Sequence, residues 1–183
     1  MKKKFINDYE IVTNEKNNKK QLIYRGTMYQ LDLPPQKIWQ HKIQMLMNAL
    51  FMVALFIAMG FAGNDATRTL SVGLPYALLI IPILYACFDA VYFLVRTKPM
   101  ERAHFEGSFL HMLSWSVIIM LLSAAVLIGD IVYVIKMSEI IAGEYVFIPL
   151  AALLFLSAYF LFRQTRRIKK NITETKEPRS DES

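Results

Sequence analysis

Across 183 residues the chain has a single cysteine, Cys87, so no intramolecular disulfide can form and no paired-thiol metal spacing exists. Cys87 lies in an apolar run, where a thiol serves as a small packing residue. Three histidines, His41, His104 and His111, have no ligand spacing around them, so no metal is expected. G-x-S-x-G, Walker, H-E-x-x-H and lipid-phosphotransferase acid patterns are all missing. Without a catalytic constellation, neither an enzymatic activity nor a cofactor is expected. The only acids near one another in a polar connector with a histidine, Glu101 and Glu106 beside His104, are thin material for a lipid-directed enzyme. A signal peptide is not visible either. The first apolar run begins near Ile43, after more than forty polar residues, so the first span is expected to act as its own insertion signal.

The most telling scarcity is of charge. The composition is 55% apolar, and nearly all charged residues fall in five polar segments between four apolar runs. Runs of roughly 18–25 apolar residues mark membrane spans, because hydrocarbon ~30 Å thick takes about 20 residues at ~1.5 Å each. The expected fold is therefore an all-α membrane protein, a four-transmembrane-helix bundle. Its spans are expected at about 43–62, 75–95, 110–135 and 145–162, with Pro82 bending the second. The net charge of +6 sits beside these runs, where anionic lipid and insertion rules account for it, and nucleic-acid binding is not expected.

Residues 1–42 read as a small β-containing N-terminal head. Asp8–Thr13 and Gln21–Arg25 are rich in β-branched and aromatic residues and flank the turn signal NEKNNKK, and Thr27–Leu33 supplies a third strand of a meander. Pro34-Pro35 then starts an amphipathic helix, with Trp39 at interfacial depth and Lys37 and Lys42 in water. Residues 163–183 read as a tail, first basic (RQTRRIKK) and then disordered. Lysine and arginine number nine in the head, three in the connector 96–108 and seven in the tail, against one in each of the other links. By the positive-inside rule, both termini and the middle connector are expected to be cytoplasmic. The host bilayer is expected to be the cell membrane. Asn171-Ile-Thr173 fits a glycosylation pattern, but a cytoplasmic tail is the wrong compartment for it.

Two acids interrupt the apolar runs, Asp89 and Asp130. A carboxylate in hydrocarbon costs about 2.5–3.5 kcal/mol on insertion scales, so each calls for a reason. Asp89 lies seven residues before Arg96, roughly 10 Å inside the cytoplasmic face at helical rise. At that depth the other spans carry Asn48, Ser114 and Ser157, so the four can form one intramembrane polar layer. His111, a turn nearer the cytoplasm, could relay a proton to Asp89. The plainer account makes Asp89 a hydrogen-bonding contact between helices and turns His111 to the headgroups. Asp130, about one and a half turns from the far end of its span, is read as interfacial and reaching water, with Gly129 leaving room for a neighbouring helix.

The run Tyr24-Arg-Gly-Thr-Met-Tyr-Gln-Leu-Asp-Leu-Pro34, leading directly into four spans, resembles a group of small four-span bacterial membrane proteins. That resemblance implies architecture alone. Two functional expectations follow from the residues. The first is a non-enzymatic accessory or scaffold subunit of a membrane assembly, partnered by another protein or by copies of itself. The bilayer and its anionic headgroups would lie against the basic tail. The second is a small oligomeric ion- or solute-transporting protein that uses Asp89.

Overall fold

The computed structural model describes residues 9–14, 19–24, 26–95, 100–101, 109–136 and 142–176. Among these the chain is mainly helical, and four helical segments are long and apolar enough to cross a membrane: Pro35–Phe61, Leu70–Val95, His111–Lys136 and Ala142–Lys170. Helix α1 (Pro35–Phe61) starts where the diproline places it. Pro34 is extended (φ −55°, ψ 141°), and Pro35 occupies the first turn, where its missing N–H costs nothing. The segment Leu70–Val95 is two helices, α2 (Leu70–Leu78) and α3 (Ile80–Val95). The interruption falls at Leu79, rather than as a bend at Pro82 itself. Pro82 has no N–H for the Leu78 carbonyl, and its ring crowds that same group, so the disturbance lands one turn upstream.

Helices α4 (His111–Lys136) and α5 (Ala142–Lys170) make the most extensive helix pair. The buried residues of α4 are Met112, Ser116, Ile119, Ser123, Val126 and Asp130; those of α5 include Phe147, Ala151, Leu154, Ala158, Leu161, Thr165 and Ile168. Steps of four and three alternate along both, the spacing of a knobs-into-holes seam. The small side chains of Ser116, Ser123, Ala151 and Ala158 on these seams let the two backbones approach. The serine hydroxyls donate back to their own helix, Ser116 Oγ to the Leu113 carbonyl and Ser123 Oγ to the Ile119 carbonyl, both at 2.7 Å. The opposite faces are apolar and uncovered, with Phe51, Ile81, Phe88, Leu121, Ile128, Leu156 and Phe160 all exposed.

At the end of the bundle where α1 begins and α5 finishes lie two small sheets. Strands β1 (Tyr9–Asn14) and β2 (Lys19–Tyr24) form an antiparallel hairpin in register Tyr9↔Tyr24 to Asn14↔Lys19. Strand β3 (Thr27–Leu31) does not extend it into the expected meander. It is the centre of a separate sheet, ordered β4-β3-β5, between β4 (Met100–Glu101) and β5 (Ile172–Lys176). Both edges of β3 are taken by distant segments, leaving none for β2. The Tyr24 hydroxyl instead donates to the Thr27 carbonyl across the corner. Tyr29 and Ile172 pack onto the helical core, so the sheet is seated on the bundle.

The tail also departs from its expected disorder. Helix α5 runs eight residues past Phe162 to Lys170, because Gln164, Thr165 and Ile168 continue its buried face while Arg163, Arg166, Arg167, Lys169 and Lys170 stay in solvent. β5 then pairs with β3 from Leu31↔Ile172 to Thr27↔Lys176, and Asp32 N–H donates to the Asn171 carbonyl at 2.9 Å. Residues 177–183, the end of the tail, fall outside the described residues.

Candidate functional site

Of the four residues expected in one polar layer, the fold joins two. Asn48 and Ser157 face each other across the α1–α5 interface in a reciprocal pair. Asn48 Nδ2 donates to the Ser157 carbonyl at 3.0 Å, and Ser157 Oγ donates to Asn48 Oδ1 at 2.7 Å. Two turns along the same interface, Gln164 Nε2 donates to the His41 carbonyl (3.3 Å) and to Gln44 Oε1 (3.2 Å). Ser114 stands apart: it is exposed and returns its hydroxyl to the Leu110 carbonyl of its own helix.

Asp89 is half-buried on α3, flanked by exposed Tyr85, Phe88 and Tyr92, and its Oδ2 is buried without a hydrogen-bond partner. His111 is exposed at the start of α4, and no hydrogen bond joins the two. Lys42, expected in water, is 3% exposed. Its ammonium lies 5.2 Å from the Phe93 ring centroid, where the aromatic face offers the cation a partner that hydrocarbon cannot. Lys37, one and a half turns earlier, is in solvent as expected.

The most enclosed polar group lies at the other end of the bundle, around Asp130. Its expected exposure to water is reversed: Asp130 is 0% exposed, and Glu144, at the start of α5, is 2% exposed. The two carboxyl groups converge on the same corner of the chain, which offers a donor to each. Asn64, 6% exposed, donates from Nδ2 to Asp130 Oδ1 at 2.8 Å, and the Ala66 N–H points at Glu144 Oε1 at 3.4 Å. The remaining oxygens, Asp130 Oδ2 and Glu144 Oε2, are buried and receive no hydrogen bond among the described residues.

Local structure explains how these groups meet. Beyond α1 the chain turns at Gly63 (φ 65°), a left-handed conformation that glycine adopts without strain. Asn64 then caps the following turn, accepting the Thr67 N–H at 3.1 Å while its carbonyl accepts the Thr67 hydroxyl at 2.7 Å. A single 3-10 turn, Ala66–Arg68, leads into α2. Helix α5 approaches this corner so closely that a Cβ on Gly143 would lie 2.6 Å from the carbonyl oxygens of both Ala62 and Gly63. Gly129, next to Asp130, faces Val72 and Ser71 of α2, the neighbour for which it leaves room. One sequence signal could have found Asp130: it continues the four-three spacing of Met112, Ser116, Ile119, Ser123 and Val126, so it falls on the buried seam. Nothing local marks Glu144 or Asn64 as its partners.

An arrangement of two carboxyl groups with one amide can hold and release protons or polarise a bound group. Among the described residues, no three metal-ligating side chains gather. No protein-family model, curated protein or solved structure matches this chain, so the site stands on its own geometry.

Proposed function

We propose that the chain is a multi-pass protein of the cell membrane with both termini cytoplasmic, acting as a non-enzymatic accessory or scaffold subunit of a larger membrane assembly. The observation that carries this reading is the sheet β4-β3-β5. It joins one strand each from the head, the middle connector and the tail at one end of the bundle, and these are the three segments richest in lysine and arginine. A chain with four spans places these segments on one side of a bilayer, and the positive-inside rule makes that side the cytoplasm. The uncovered apolar faces of the helices suit lipid or neighbouring spans, since a soluble monomer rarely leaves such faces bare. The outer edges of the two small sheets suit strand addition from a partner, and the basic face of α5 suits anionic headgroups.

The test is purification of the tagged protein from native membranes in mild detergent, with identification and mass measurement of what co-elutes. A stoichiometric second protein, or a defined homo-oligomer, is expected. A lone monomer would count against the proposal.

A second reading, a small oligomeric transporter of ions or solutes, is favoured by the unpartnered buried oxygen of Asp89. Asp89→Asn separates the two. Loss of flux in proteoliposomes with unchanged assembly supports transport, whereas loss of assembly without any flux to lose supports the subunit.

A further inference from the structure

We infer that Asp130, Glu144 and Asn64 form a proton-binding site in which one proton, held between the two carboxyl groups, latches the start of α5 to the end of α4 and to the corner after α1. This goes beyond a role in assembly or in transport through Asp89, which lies on α3, toward the end of the bundle that carries the sheet β4-β3-β5.

The donors around the pair are matched one to one with half of its oxygens. Asn64 Nδ2 serves Asp130 Oδ1, and the Ala66 N–H is directed at Glu144 Oε1. That leaves one oxygen on each acid, both buried and both without a donor among the described residues. A hydrogen bond between two carboxyl groups requires a proton on one of them. With none, two anions would face each other in a site that excludes water, which is the arrangement proteins avoid by sharing a proton. The proton therefore supplies the one donor that the geometry lacks. The step is a proton transfer alone: an O–H bond to the carboxyl group forms as one in hydronium breaks, and the reverse returns the proton to water.

The charged and titratable groups on the surrounding elements do not supply a substitute. From the corner after α1, Asp65 adds another acid near Glu144. Arg68 is engaged at its own surface, 3.4 Å from Asp65, with its side chain 84% exposed. On α2 the Tyr76 hydroxyl is committed to the Phe56 carbonyl at 2.9 Å. On α4, Lys136 is exposed and Tyr133 half-buried; on α5, Tyr145 is exposed. The end of α1 that packs here, Met59 to Ala62, carries no titratable side chain. Glu139 lies outside the described residues.

The latch couples three parts of the chain. Asn64 and Ala66 belong to the corner, Asp130 to α4 and Glu144 to the first turn of α5. Loss of the proton turns an attraction into a repulsion at the place where α5 and the corner are in closest contact, so it is expected to loosen that contact.

The experiment is infrared spectroscopy of the full-length protein in lipid nanodiscs, following the carbonyl stretch of protonated carboxyl groups, on wild type, Asp89→Asn and Glu144→Gln. At neutral pH the wild type is expected to show a protonated-carboxyl band that Asp89→Asn retains and Glu144→Gln removes. The band should also disappear on alkaline titration, together with a fall in the thermal unfolding midpoint. Glu144→Gln keeps the shape of the side chain and brings its own N–H donor, so it should unfold at a midpoint insensitive to the same titration. A wild type with no protonated-carboxyl band at neutral pH overturns the inference whether or not any variant folds. So does a band that Asp89→Asn alone removes, or one that Glu144→Gln leaves unchanged.

Discussion

Replacement of Gly143 by alanine tests the close approach of α5 to the corner after α1. The added Cβ would sit 2.6 Å from two carbonyl oxygens, those of Ala62 and Gly63, and 2.8 Å from the Gly63 carbonyl carbon. Backbone atoms cannot swing aside as a side-chain tip can, so α5 or the corner after α1 must move. Overpacking of this kind costs about 1–3 kcal/mol. Alanine also favours the helix by up to about 1 kcal/mol over glycine, and by less here in the first turn. The clash wins, and a net loss of about 1–2 kcal/mol is expected. Gly129→Ala is the control. Its Cβ would meet Val72 Cγ2 at 3.1 Å and the Ser71 carbonyl oxygen at 3.2 Å, contacts that a shift of a few tenths of an ångström relieves. There the propensity gain offsets the strain, and stability should stay within about 0.5 kcal/mol of wild type. Equilibrium unfolding of both variants in lipid, by steric trapping, measures the difference. If Gly143→Ala were as stable as Gly129→Ala, the close approach of α5 to Ala62 and Gly63 would be wrong.

Three further outcomes are expected. A double-mutant cycle of Asn48→Ala and Ser157→Ala should give a coupling of about 0.5–1.5 kcal/mol in unfolding experiments, the range for hydrogen bonds between membrane helices, and additive effects would deny the reciprocal pair. Tyr76→Phe should cost about 0.5–1.5 kcal/mol, because it removes the hydroxyl donor to the Phe56 carbonyl but keeps the ring stacked 4.8 Å from that of Phe56. A loss near zero would place the hydroxyl elsewhere. Truncation after Asn171 removes β5, and amide exchange across Thr27–Leu31 should speed up by about tenfold or more while the middle of α1 is unaffected, tenfold being about 1.4 kcal/mol of local stability. Unchanged exchange in β3 would mean that β5 does not pair there.

The sequence alone determined the number and approximate bounds of the long apolar helices, the proline start of α1 and the grouping of basic residues in head, connector and tail. These are local properties: run length, a diproline and residue counts can be read without knowing what any segment touches. Asn48 and Ser157 were legible as residues at matched depth, since rise along a helix is fixed. Rotation about the helix axis is not, and the packing alone decided that Ser114 faces outward while Asp89 Oδ2 finds no hydrogen-bond partner among the described residues. The same freedom hid Lys42, whose neighbour Phe93 belongs to another helix. Partners distant in the chain were least legible. β3 looked like the third strand of a meander, yet its partners are β4 and β5, the latter drawn from the far end of the chain. Asp130 looked interfacial because distance from a span end says nothing about burial, and its amide donor, Asn64, is 66 residues away. Only the folding of three separate segments onto one corner could bring Asn64, Asp130 and Glu144 together, because no sequence pattern records a contact made across that distance.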